Sequence, residues 1–467
     1  MNIKTLINRT LFLLFLASNY SCEKLVEIDS PTDKLVREEV FNNDQTAISA
    51  MDGIYNELFQ ADFSSGSRSS VTVLGGLSSD NVQYLNSGNI NMMQFQEHEI
   101  DPSNPGNLQL WTSAYNIIYL CNSLIEGLEN SSSIDAALQQ QLEGEARFVR
   151  AFSYFQLVNL YGEVPLILNT DYRENALKPR VEVDEIYNLI EEDLLISSET
   201  LSSSYRNSER TSGNKFGANA LLARVYLYQE DWQKAEDYSS QVINETASYE
   251  ILDNLDDVFL ANSREAIWQI SPIGGGGIAS NTNDGSMFII DPFFSFFATL
   301  KLDASIIPEF IESDIRRQNW VGYNSSKDAF FSHKYKIDAS SEFPIKEYSM
   351  VLRLAEQYLI RAEARANLGK INDALNDLDV IRKRAGLPAL TESTPGIAEE
   401  ELMEKIFRQR RLELFTEWGH RWFDLKRTDR TTNVFGNNST WQNTDILYPI
   451  PAEEISKNPN LIQNDGY

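Results

Sequence analysis

Apolar positions recur at three- and four-residue intervals through 39–60, 107–129, 136–161, 183–200, 214–246, 348–385 and 399–418. That spacing puts one buried stripe on a helix and predicts helices over each stretch. Between 261 and 346 the period fades. Gly274 to Gly277, the run from Asn281 to Gly285 and scattered aromatics predict loops with a few short strands there, the tetraglycine being a flexible turn. The expected fold class is mainly α, a scaffold of helical pairs with long irregular excursions. Two pairs share a spacing: Ala223 and Ala235 are 12 apart across a turn at Glu230 to Trp232, and Ala362 and Ala374 are 12 apart across Gly369 to Ile371. Small residues at that separation let antiparallel helices approach closely, as in tetratricopeptide units. The segments 136–161 and 183–200 are a candidate third pair, with Gly162 and Pro165 ending the first helix.

The amino end changes the picture of where this scaffold works. Lys4 and Arg9 precede the apolar run Leu11 to Ala17, followed by Ser18, Asn19 and Ser21. This is the layout of a signal peptide, too short to span a bilayer. Ser21-Cys22 resembles a lipobox, so the expected organisation is signal peptide 1–21, lipidated tether 22–38 and one compact unit 39–467, with Cys22 as the acylated residue. Two or more acyl chains on Cys22 make a durable membrane anchor. Once Cys22 is modified, Cys121 is the only other cysteine, so no intramolecular disulfide is available. Cys121 lies in a helix-like apolar stripe and is read as a small core residue. The net charge is −28, and loss of Lys4 and Arg9 takes it to −30, which argues against nucleic acid as a partner.

Several stretches, in order along the chain, carry a family resemblance. They are Glu145 to Leu166, including Arg147, Arg150, Tyr154, Tyr161, Gly162 and Pro165; Ala220 to Tyr228; Arg353 to Ala364, with Glu356, Tyr358, Arg361 and Glu363; Arg410 to Phe415 with Gly419 to Leu425; and Tyr448 to Pro451 leading to Asn458 to Leu461. Together they resemble the RagB/SusD family of Bacteroidetes outer-membrane nutrient-binding lipoproteins, over nearly the whole mature chain. The resemblance implies a surface-exposed lipoprotein that binds an oligomeric nutrient, usually a glycan. It also implies a hinged lid on a TonB-dependent, SusC-like outer-membrane barrel. Residue by residue, most of these positions read as architecture. Arg411 and Glu413 are candidates to pair internally, Trp422 and Phe423 to pack, and His420 to be structural.

Catalytic chemistry finds no positive support in the residues. His98, His333 and His420 are widely separated, with no H-E-x-x-H pair and no C-x-x-C cluster, so no metal site and no cofactor are expected. There is no G-x-S-x-G elbow, and the tetraglycine lacks the Lys-Ser/Thr of a phosphate loop. The 68 acidic residues offer no recognisable dyad. A non-enzymatic binding protein is therefore expected. Sugar rings present apolar faces rimmed by hydroxyls, and a site for them needs flat aromatics with a few hydrogen-bonding groups. Asp80, Asn81 and Tyr84, in the loop Ser78 to Tyr84, rank first, in a region where family members often carry ligand contacts. Trp320 and Tyr323 rank second, and the two loops are candidates to converge on one cleft. Phe293, Phe294, Phe296 and Phe297 are read as core. The competing class is a tetratricopeptide-like interaction protein that binds peptides or neighbours and has no glycan site.

Overall fold

The computed structural model describes residues 40–85, 88–273, 281–338 and 343–467. Cys22, the tether and Gly274 to Gly277 lie outside the described residues. Sequence-encoded caps set where the helices begin. Asn43 accepts from the Thr46 amide at the start of α1 (Asp44–Gln60). The shorter α2 (Val71–Leu77) leads into β1 (Val82–Tyr84), and α3 (Ile90–Glu97) follows. Asn104 caps α4 (Pro105–Glu129), which also has proline in its first turn. Asp135 caps α5 (Ala136–Tyr161), and Gly162 ends it at φ +71°, a conformation that a side chain would strain.

After the four-residue α6 (Tyr172–Asn175) come α7 (Val183–Thr200), α8 (Lys215–Tyr228) and α9 (Trp232–Ile243). The pairs α5 with α7 and α8 with α9 pack along their lengths, and so do α12 (Leu354–Asn367) and α13 (Ile371–Arg384); α9 packs on α12 to stack one pair upon the next. Ala223, Ala235, Ala362 and Ala374 are all fully buried, where the spacing argument needs them. The last long helix, α15 (Glu399–Leu414), follows the single turn α14 (Leu390–Ser393) and lies against α12; α16 (His420–Arg427), α17 (Thr431–Phe435) and α18 (Ala452–Lys457) close the chain. Cys121 is buried in α4, and burial pushes its thiol up to about 12.

The excursion between α9 and α12 carries most of the strands. β2 (Ala266–Ile270) pairs antiparallel with β6 (Ser349–Arg353), so residues 349–353 form a strand where helical periodicity predicted a helix start. Their burial on both faces removes the strand alternation that would have identified them. The helix α10 (Asn283–Phe288) precedes β3 (Leu300–Leu302), which pairs with β1; the one-and-a-half-turn α11 (Ile315–Asn319) precedes the hairpin β4 (Val321–Asn324) and β5 (Ala329–Ser332).

A buried ionic network joins scaffold to excursion. Arg353 at the end of β6 donates to Glu265, Glu413 and Glu417, while Arg384 of α13 reaches Glu265 and Glu413. Arg316 is bound by Asp314 and Glu413, and Lys334 by Glu417. Burial opposes the Glu413 charge, but the surrounding cations outweigh it and hold its carboxyl far below the usual range. Glu413 therefore does not pair with Arg411, as the sequence reading allowed. Two residues apart on α15, they point to different sides of the helix.

Candidate functional site

The glycine-rich face of α2 sets the position of the first candidate loop. A Cβ on Gly75 would lie 3.1 Å from the Gly419 Cα, and Gly419 itself sits at φ +66°, so both positions favour glycine. This close approach brings the loop after α2 onto α15 and α16. Asp80 there receives Arg421 at 2.6 and 2.9 Å and Arg411 at 3.0 Å. Burial works against its charge, but the two guanidinium groups outweigh it and lower its pKa. Asn81 is buried and accepts from Arg411 Nε at 2.8 Å. Tyr84, on β1, is buried with its amide bound to Gln96 Oε1. Asp80 and Asn81 tie the amino-terminal loop to the carboxy-terminal helices, while Tyr84 is held by α3 and β3. Asn81 and Tyr84 have almost no surface left for a ligand.

Trp320 is corrected more sharply. It is fully buried in a core formed with Leu255, Phe259 and Tyr335, and its Nε1 donates to the Leu255 carbonyl at 3.1 Å. Lys334, Arg353 and Arg384 lie within 6.0 Å of its ring centroid, so the indole faces the buried cations of the network. No face is open to a sugar. Three residues along, near the turn end of β4, Tyr323 is 53% exposed although Val321, on the same face of the strand, is buried. Its hydroxyl donates to Asp328 at 2.7 Å and its ring meets Phe330 across the hairpin at 4.9 Å.

The two predicted loops do come near one another. β1 pairs with β3, and β3 lies against β5, the partner of β4. Between α10 and β3 runs the loop that the sequence reading assigned to the core. The structure overturns that assignment: Phe293, Phe294 and Phe296 are 85%, 59% and 66% exposed. Asp291 shapes the loop by accepting from the amides of Phe293 and Phe294, both at 2.7 Å, an Asx turn that holds the rings outward. Ser295 Oγ lies 3.0 Å from Ser326 Oγ in the β4–β5 turn, and Asn324 Nδ2 donates to the Ile290 carbonyl at 3.4 Å. The phenylalanines and Tyr323 are thus carried by two loops that touch. Flat apolar rings surround a supply of small polar groups, which is the chemistry a carbohydrate face requires. The flanking Asp291-Pro292 was the available sequence signal, since it marks a turn and not a helix or strand interior.

No group of His, Cys, Asp and Glu suited to a metal ion occurs among the described residues, and none of their helices is long and apolar enough to cross a membrane. His420 is buried among the scaffold cations, and burial followed by their charge drives its pKa well down.

Two family models match the chain, one described as SusD family over residues 314–467 and one as starch-binding associating with outer membrane over 39–227. The chain belongs to the SusD/RagB family. A SusD-like protein from Formosa agariphila, P25, is 23% identical over 97% of both chains, and the starch-binding protein SusD of Bacteroides thetaiotaomicron is 24% identical over 73% of this chain and 75% of its own. Among solved structures, a SusD superfamily protein from Bacteroides vulgatus superposes with TM-score 0.80 at 20% identity, covering 91% of this chain and 99% of its own. A laminarin-binding SusD-like protein gives 0.77 at 22%, covering 91% and 100%. The SusD fold is thereby shown, and starch binding stands in the description of one matching family model and in the name of the Bacteroides thetaiotaomicron relative.

Proposed function

We propose that this SusD-like chain is a surface lipoprotein, anchored through Cys22, that captures an oligomeric glycan and delivers it as a hinged lid to a TonB-dependent outer-membrane barrel. The observation that carries the reading is the exposed aromatic surface of Phe293, Phe294, Phe296 and Tyr323. Exposed rings of this size are costly in water unless a ligand or partner covers them, and four on adjoining loops are more than scattered exposure accounts for. The starch- and laminarin-binding relatives support a glycan as what covers them. The family description, with its association with the outer membrane, supports the location.

Of the residues singled out in the sequence, Tyr323 is the proposed ligand contact. Asp80, Asn81, Tyr84 and Trp320 act as supports for the loops that carry it. Rigid helices beneath short loops suit a binding face that must hold its shape while the lid moves. The test has two arms. Affinity capture from native outer membranes is expected to retain a large barrel transporter, and its absence removes the lid. Phe293→Ala/Phe294→Ala is expected to release the glycan retained by the wild type, and undiminished retention removes this surface from the site.

A further inference from the structure

A second aromatic cleft lies between α4, the connection after α5, α6 and α18, and shares no lining residue with the loop surface. Its volume is about 390 Å³, within the range of small-ligand sites. Trp111, Tyr115, Tyr119 and Tyr172 supply its rings. The inner two are fixed: Trp111 packs on Tyr115 with centroids 5.0 Å apart, and the Tyr115 hydroxyl donates to the Pro165 carbonyl at 2.8 Å. The outer two stand open at the mouth, Tyr119 at 48% and Tyr172 at 74% exposure. Polar groups edge this apolar floor. Glu454 and Lys457 of α18 lie 3.0 Å from each other, and Asn175 of α6 donates its Nδ2 to the Asn169 carbonyl at 2.8 Å. That bond fixes the amide, yet Asn175 Oδ1 is buried without a partner.

We infer that this cleft is a second saccharide subsite, which takes one or two glycosyl units of the same glycan or of another chain. The inference rests on the glycan-binding reading above. A sugar ring lies flat on the exposed tyrosine faces while its hydroxyls meet the polar rim. The carboxylate and ammonium at the rim accept from and donate to hydroxyls, each of which does both. A wholly apolar occupant would cover Glu454 and Lys457 without offering either a hydrogen bond. A second subsite set apart from the loops would raise avidity for a polymer without any new contact at the first.

The test compares the wild type, Tyr119→Ala/Tyr172→Ala and Phe293→Ala/Phe294→Ala on an oligosaccharide array that includes starch- and laminarin-derived hexamers. The tyrosine pair is expected to weaken retention about tenfold, with Tyr119→Trp/Tyr172→Trp retaining the wild-type level because the flat faces remain. If the alanine pair binds every glycan as the wild type does while the phenylalanine pair does not, the cleft is overturned and the loop surface stands. If the wild type retains no glycan, both readings fall. Thermal unfolding accompanies each variant, and where the alanine pair unfolds early, Tyr172→Ala alone, at the more exposed ring, decides by the same loss of retention.

Discussion

Aromatic and charged side chains occur in both halves of this molecule but have opposite roles in them. Beneath the excursion, Trp320 is sealed under Lys334, Arg353 and Arg384, and almost every charge there meets a counter-charge. Tyr323, three residues on, and the phenylalanines at 293, 294 and 296 stand in solvent on loops held by serine, asparagine and aspartate. The difference teaches that residue type does not mark the binding face. Exposure does: rings and charges sealed among partners build the platform, and rings whose faces stand in solvent are available to a ligand.

The sharpest break of that contrast is at Arg353. Arg353→Met leaves Glu265, Glu413 and Glu417 each short of a partner in a buried setting. The expected loss is about 3–5 kcal/mol of folding stability, the cost of stranding buried charge. Urea unfolding measures it, and a loss under about 1 kcal/mol, the level of an exposed pair, would mean the network contributes little. Of the same size is Trp320→Ala, expected to cost about 3–5 kcal/mol by opening a cavity in the second core. If instead Trp320→Ala folds like the wild type and loses only glycan retention, the division between platform and binding face is wrong.

The same contrast explains what could be read from the chain beforehand. The long helices were legible because each buries a stripe against one neighbour, and the alanines at 223, 235, 362 and 374 were legible because close helix packing leaves room for nothing larger. Gly162 marked its helix end for the same kind of local reason. β6 was not legible, since a strand buried on both faces has the same apolar run as a helix. Nor was the fate of Asp80, whose partners Arg411 and Arg421 are more than 300 residues away in sequence. The phenylalanine loop was misread because composition prices an aromatic cluster as core, and only the Asx turn at Asp291 shows it facing out.

A seam between the halves gives a pH-dependent probe of intermediate size. Asp284 of α10 is buried with Ser349 Oγ donating to it at 2.9 Å. Burial pushes its carboxyl up to about 6 from 3.8, with the Ser349 bond pulling the other way. A raised folded pKa means the folded state holds the proton more tightly. Its stabilising contribution is therefore complete below the unfolded value of 3.8 and is lost as pH rises through about 6. Asp284→Asn is expected to flatten the stability profile across that window and to gain up to about 3 kcal/mol relative to the wild type above it. An unchanged slope between those pH values would show that the seam carries no such titration.

The smallest change in stability is expected where the largest change in binding is. Phe294→Ala removes a ring that is 59% exposed, so the folding free energy should move by no more than about 0.5 kcal/mol, as for other surface replacements. Retention of the glycan should fall several-fold, because the ring's apolar face is the part of the contact that no hydroxyl can replace. Tyr323→Phe makes the comparison finer. It keeps the ring and deletes only the bond to Asp328, so a loss smaller than that of Tyr323→Ala assigns the contact to the ring face. Equal losses would move the contact to the hydroxyl and its carboxylate, and the loop surface would then be read as a polar site framed by rings.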